Sequence, residues 1–95
     1  QSKGWQRIAY EVKQTRGDFL RELADPQKRA WLEENFNETY FACARDVAEP
    51  EEIPDGWGLL VVTTKGDGFT RKKVARHRDG KVTEPKVVMA LEAEP

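Results

Sequence analysis

Glu11, Val12 and Lys13 form the pattern in this sequence with the clearest potential for chemistry. On a β-strand, side chains two residues apart point to the same side, so the carboxylate of Glu11 and the ammonium of Lys13 can reach one point in space. A carboxylate binds hard divalent cations through oxygen, and the carbonyl of Val12 can add a second ligand. Lys13 can then orient or deprotonate a metal-bound water, or offset charge that develops on a phosphate. The same spacing also arises from a plain ion pair, which contributes less than about 1 kcal/mol when exposed.

The residues around this pattern predict the strand that positions it. Hydrophobic and polar side chains alternate through residues 5–13, WQRIAYEVK, which is typical of a half-buried strand. The apolar set Ile8, Tyr10 and Val12 is expected to form the buried face and to pack on helices. Glu11 would then lie on the opposite face.

A helical stretch follows this strand. The helical spacing begins at Phe19 and continues through later apolar residues. A second helical start follows at Asp25 and Pro26, with the aspartate as N-cap and the proline at the first helical position. Thr15 or Asp18 is expected to cap the first part. A short apolar strand over residues 39–44 comes next, so the order is strand, helix, strand. This order predicts a βαβ unit with two parallel strands.

The rest of the chain predicts a mixed architecture. A strand is expected over residues 57–64, a charged edge strand over residues 69–76 and a short terminal helix over residues 85–93. The fold class is therefore α/β with a mixed sheet and a βαβ core.

Composition excludes several classes of protein. Ninety-five residues, 38% hydrophobic and 35% charged, are enough for one small folded domain. The chain has one cysteine, Cys43, and one histidine, so neither a disulfide framework nor a Cys/His zinc site is possible. Cys43 lies in an apolar segment and is expected to be an inert buried thiol. No long apolar run or secretory leader is visible, which predicts a cytoplasmic protein without a membrane partner.

Basic residues are unevenly distributed. Residues 1–21 carry five basic and two acidic side chains, and residues 65–81 carry seven basic and two acidic ones. These two stretches can form a cationic face for nucleic acid, or they can be ordinary solvated surface. The candidate nucleic-acid-binding residues are Arg16, Arg71, Lys72, Lys73 and Arg76.

The run IAYEVKQTRGDFL at residues 8–20 resembles the PD-(D/E)XK nuclease superfamily. It is most similar to the phage and bacterial branch that includes MmcB-like DNA-repair proteins. The resemblance continues through residues 25–29, 40–42 and 53–60. It implies a restriction-endonuclease-like fold in which Glu11 is the metal-binding acid, Val12 lends its carbonyl to the metal and Lys13 is the catalytic lysine.

The function that this resemblance implies is hydrolysis of DNA phosphodiester bonds with Mg²⁺ or Mn²⁺, in DNA repair or phage DNA processing. The superfamily also uses an aspartate on the preceding strand, and residues 1–5 contain no acidic side chain. The sequence is therefore interpreted as a single nuclease-like domain, residues 1–95, truncated at its N-terminal side and lacking an upstream strand and helix. The first strand would then have an unpaired edge, open to the missing segment or to a second chain. The alternative is a non-catalytic module of the same fold that binds nucleic acid or protein.

Overall fold

The protein folds around a five-stranded mixed sheet with two α-helices. The computed structural model describes residues 6–79 and the strand backbone of residues 86–91. The strands are β1 (Arg7–Lys13), β2 (Glu38–Cys43), β3 (Gly58–Val62), β4 (Phe69–Lys73) and β5 (Lys86–Leu91), and the helices are α1 (Arg16–Leu23) and α2 (Pro26–Asn35). A single 3₁₀ turn spans Pro50–Glu52. The α/β class and the predicted βαβ unit are confirmed.

The strand order across the sheet is β4-β3-β2-β1-β5. β1 pairs in parallel with β2 and with β5, β2 pairs in parallel with β3, and β4 runs antiparallel to β3. The predicted edge strand is therefore β4. The strand that carries Glu11 and Lys13 is an interior strand with a neighbour on each side.

Local capping explains where the two helices begin. Thr15 is the N-cap of α1, and its hydroxyl accepts a hydrogen bond from the backbone amide of Asp18 at 3.1 Å. Asp25 caps α2 and accepts from the amide of Lys28 at 3.1 Å, while Pro26 occupies the first turn. Both predicted starts are confirmed, because each side chain satisfies an amide that the helix itself leaves unpaired.

The hydrophobic core lies between the helices and one face of the sheet. Its aromatic centre is Phe41 of β2, whose ring is 5.0 Å from that of Phe19 on α1 and 5.3 Å from that of Trp57. All three side chains are fully buried. This packing fixes α1 over the same sheet face that carries Ala9 and Glu11.

The prediction of which face of β1 is buried was wrong. Ala9, Glu11 and Lys13 are 0%, 0% and 3% exposed. Ile8, Tyr10 and Val12 on the other face are only half-buried. The reason is that both helices cover the charged face, where distant side chains neutralise its charges. Apolar alternation identified the strand and could not show which face the helices would take.

The predicted terminal helix was also wrong, because Lys86–Leu91 forms strand β5. The register aligns Ile8 with Val87, Tyr10 with Met89 and Val12 with Leu91. β1 offers unpaired backbone groups on this side, and pairing them outweighs the weak helical spacing of a valine-rich segment. The edge of β1 that was expected to be free is therefore occupied by this chain. Trp5, at the start of the predicted strand, and residues 92 and 93 lie outside the described residues.

Within the described part of the chain, neither helix has the length and apolar character needed to cross a membrane.

Candidate functional site: a buried charge cluster beside β1

Glu11 and Lys13 lie together on the helix-covered face of β1. Strand alternation directs both side chains to the same face, as the sequence predicts, and the structure shows that this is the face that the helices cover. The ammonium Nζ of Lys13 is 3.8 Å from Oε1 of Glu11. Because both groups are removed from water, their electrostatic interactions are much stronger than those of a surface pair.

Two helical residues complete the cluster. Nζ of Lys13 is 3.0 Å from Oε1 of Glu22 on α1, and Nζ of Lys28 on α2 is 3.3 Å from Oε1 of Glu11 and 3.4 Å from Oε1 of Glu22. We call Glu11, Lys13, Glu22 and Lys28 the charge cluster. Each carboxylate lies between two ammonium groups, so the formal charges of its four members cancel.

The sequence contained a signal for both helical members. Glu22 follows Phe19 by three residues and therefore shares its buried face of α1. Lys28 precedes the buried Leu32 by four residues on α2. A charged residue at helical spacing from a core residue predicts a buried charge that needs a partner.

The carboxylates of the cluster are incompletely satisfied. No hydrogen bond of standard geometry reaches Oε1 or Oε2 of Glu11, or Oε2 of Glu22. Burial and, to a smaller extent, the nearby charge of Glu22 raise the pKa of Glu11, while Lys28 and Lys13 lower it, and the balance brings it from 4.5 to about 7. Glu11 is thus a buried carboxyl group that exchanges its proton near neutral pH.

A cleft at the carboxyl edge of the parallel strands reaches the charge cluster at Lys13. Its volume is about 300 Å³. Lys13 and Gln14 line it from β1, Cys43 and Ala44 from the end of β2, and Phe69 from β4. Ligands of open α/β sheets commonly bind outside the carboxyl ends of the strands. This cleft brings Lys13 to the edge of the sheet where such ligands bind.

The charge cluster contains two carboxylates, the type of ligand that hard divalent cations prefer. Three of their buried oxygens accept no hydrogen bond, and Mg²⁺ in proteins is often held by one or two carboxylates together with waters and substrate phosphate. Among the residues that the structure describes, no group of three or more His, Cys, Asp or Glu side chains is placed to share a metal ion. Val12 aligns with Ala42 on one side and Leu91 on the other, within the sheet. Glu22, which the sequence did not single out, is the second carboxylate near Glu11.

Three of the five candidate nucleic-acid-binding residues are engaged within the chain. Arg16 donates to both carboxylate oxygens of Glu52, at 3.0 and 2.5 Å, and holds the pKa of Glu52 down at about 2. Arg76 donates to Asp55 at 2.9 Å, and Nζ of Lys73 donates to the carbonyl of Ile53 at 3.1 Å.

Arg71 and Lys72 on β4 differ from those three residues. Both are exposed, and neither forms a hydrogen bond or ion pair with another described residue. The structure therefore does not gather the five basic residues around the charge cluster. It leaves two free cations on the edge strand.

Cys43 behaves as the sequence predicts. The thiol is 1% exposed, and burial raises its pKa to about 11 while the charge of Lys13 lowers it slightly. A thiol in this state is a poor nucleophile at neutral pH.

The fold and the charge cluster define a small α/β domain with a mixed sheet and ionisable groups buried beside its interior strand β1. Comparison of the chain with family models, with curated proteins and with solved structures finds no match. The argument for function therefore depends on the chemistry of the charge cluster and of the surfaces near it.

Proposed function

We propose that this domain hydrolyses phosphodiester bonds in DNA with the help of Mg²⁺ or Mn²⁺. The observation that carries the proposal is the position of Glu11, whose two buried carboxylate oxygens accept no hydrogen bond and lie beside Lys13. The resemblance of residues 8–20 to the PD-(D/E)XK superfamily supports the same two residues as metal-binding acid and catalytic lysine.

Glu11 and Glu22 are the residues that would hold the cation. When bound, a divalent cation polarises a phosphoryl oxygen and lowers the pKa of a coordinated water. The two carboxylates would then be neutralised by the cation instead of by the two lysines. This exchange is chemically reasonable because burial disfavours the ionised form of Glu11, and a bound cation would stabilise that form.

Lys13 has the role that follows from this exchange. Its ammonium is 3.0 Å from Glu22, and Lys13 is among the residues that line the cleft at the carboxyl edge of the sheet. With Glu22 neutralised, Lys13 would have a charge free to bind a phosphate oxygen and to stabilise the charge that develops on it. Such stabilisation is effective here because water is largely excluded.

The alternative, a non-catalytic binding module, is favoured by one specific observation. The two lysines already balance both glutamates, and no third acidic ligand joins them within the described residues. In that case the charge cluster would only hold α1 and α2 against β1.

Two measurements separate these functions. In the first, Mn²⁺ is titrated calorimetrically into the wild type and into Glu11→Gln, with Glu34→Gln as a matched control on the exposed side of α2. We expect binding to the wild type and to the control, and its loss in Glu11→Gln. In the second, labelled single-stranded and branched DNA is incubated with Mg²⁺ or Mn²⁺. The assay is run on this chain and on one extended upstream by a strand with the aspartate that the resemblance implies.

Metal-dependent cleavage that is lost in Lys13→Met and Glu11→Gln, and retained in Lys65→Met, an exposed lysine outside the site, would support the nuclease. Circular dichroism must show that each variant is folded, since Lys13→Met leaves buried carboxylates with one ammonium fewer. Absence of cleavage by both chains, together with DNA binding that does not depend on metal, would refute the nuclease and favour the binding module.

A further inference from the structure

The sheet face opposite the helices is apolar and uncovered by either described helix. We call it the open face. Its side chains are identified by strand alternation and by the register of neighbouring strands: Ile8, Tyr10, Val12, Tyr40, Ala42, Leu60, Val62, Phe69 and Arg71. Phe69 is 53% exposed. Sheets with parallel strands normally have both faces covered, so this face requires an occupant.

Aromatic side chains form the centre of the open face. The rings of Tyr10 and Tyr40 stack with their centroids 5.8 Å apart. Tyr10 and Phe69, together with Val12, Ala42 and Leu60, line a depression of about 460 Å³. A flat apolar depression bounded by two partly exposed aromatic rings has the shape and chemistry to accept the planar face of a nucleobase.

The charges around the open face favour a polyanion. Arg71 aligns with Leu60 and so shares the open face. As described above, its guanidinium has no partner among the described residues. Lys72 alternates to the opposite face, where it lines a pocket with Leu59 and Val61. Glu38, at the other end of β2, has a carboxylate 3.2 Å from the ring of His77. A cation without a partner among the described residues, Arg71, therefore flanks the aromatic depression at β4.

We propose that the open face binds single-stranded DNA, with bases stacked on Tyr10 and Phe69 and a phosphate bound by Arg71. A duplex cannot use this surface in the same way, because its bases are already stacked inside the helix. The choice of DNA rests on the proposed function, whereas the single-stranded form rests on the aromatic depression.

The depression on the open face adjoins the cleft at the carboxyl edge, because Val12, Ala42 and Phe69 line both. Lys13 also lines the cleft, while its ammonium lies with Glu22 on the opposite, helix-covered face. In this proposal a single strand that lies on the open face reaches the carboxyl edge of the sheet beside Lys13.

Binding is tested without metal, so that it does not depend on catalysis. Fluorescence anisotropy in EDTA would compare a labelled oligothymidine of about 20 nucleotides, long enough to cover one site, with a duplex of the same length. We expect tighter binding of the single strand, and affinity reduced about 5- to 100-fold in Phe69→Ala. Trp31→Ala is the matched control, because Trp31 is 55% exposed on α2, away from the open face.

The cationic part of the proposal has its own readout. Arg71→Gln is expected to weaken binding and to reduce the slope of log affinity against log salt by about 0.7, the value for one phosphate contact on a single strand. Unchanged affinity in both Phe69→Ala and Arg71→Gln would overturn the proposal, and so would equal affinity for duplex and single strand. A concentration-dependent dimer that Phe69→Ala dissociates would instead identify a second copy of the chain as the occupant.

The outcomes distinguish this inference from the proposed function. Single-strand binding that depends on Phe69, without any metal-dependent cleavage, would support the open face as a binding site and refute the nuclease. Cleavage that depends on Lys13 and is unchanged in Phe69→Ala would support the nuclease and refute binding at the open face.

Discussion

The substitution Glu11→Gln tests the electrostatic description of the charge cluster most directly. Glutamine has nearly the shape of a protonated glutamate and cannot ionise. The pKa of Glu11 is about 7 in the folded chain against an ordinary value of 4.5. Since the folded state holds this proton more tightly than the unfolded state, the free energy of unfolding falls as the pH rises from 4.5 through 7.

The difference between these two pKa values corresponds to about 3 kcal/mol when Glu11 is fully ionised. No fraction of the side chain is exposed, so solvent does not screen this cost. We expect Glu11→Gln to stabilise the fold by only about 1 kcal/mol or less at about pH 5 and by up to about 3 kcal/mol at about pH 9.

The assay is urea-induced unfolding of the wild type and Glu11→Gln at both pH values, with Glu34→Gln as an exposed control. Comparing each variant with the wild type at the same pH cancels the titration of groups that do not interact with Glu11. An equal effect of Glu11→Gln at the two pH values would refute the reasoning. A destabilisation that appears only at high pH would show that the lysines lower the free energy of ionised Glu11 more than burial raises it.

Further predictions concern packing and burial. Gly58→Ala is expected to destabilise the fold by about 1–3 kcal/mol in thermal melts, because a Cβ there would clash with the ring of Tyr40 and lie 2.8 Å from the amide nitrogen of Ala75. Its control is Gly17→Ala on α1, where nothing lies within 4 Å of the added carbon, and this change should stabilise the fold by about 0.5–1 kcal/mol. Trp57→Phe should lower the free energy of unfolding by about 2–3 kcal/mol in denaturant titrations. It shrinks a fully buried side chain and removes the 2.9 Å hydrogen bond from Nε1 to Glu33. An unchanged free energy of unfolding would mean that the core relaxes around the smaller ring. Cys43 should react with Ellman's reagent at pH 8 only when the chain unfolds, and rapid labelling of the native protein would contradict its burial.

Local patterns in the sequence were sufficient for most elements. The caps at Thr15 and Asp25 and the alternation of β1 each depend on residues a few positions apart, and the structure confirms them. The parallel arrangement of β1 and β2 followed from the helical segment between them.

The parts that could not be predicted depend on contacts between distant residues. The buried face of β1 was decided by Glu22 and Lys28, which neutralise charges that the sequence suggested would face water. Residues 86–91 have apolar spacing compatible with a helix or a strand, and the free side of β1 selected the strand. Glu11 and Lys13 were identified from their spacing together with the resemblance of residues 8–20, whereas their two helical partners became apparent only once the helices were placed.

The pairing of β1 with β5 has a consequence for how the chain folds. Ile8 aligns with Val87, so the two strands are separated by almost the whole described length of the chain. Contacts this distant in sequence carry a large loop-closure entropy and are associated with slow folding. During synthesis, β1 leaves the ribosome early and lacks one neighbour until residues 86–91 follow. In that interval its backbone is an exposed edge that can pair with another nascent chain, so we expect refolding to be slow and its yield to fall as protein concentration rises.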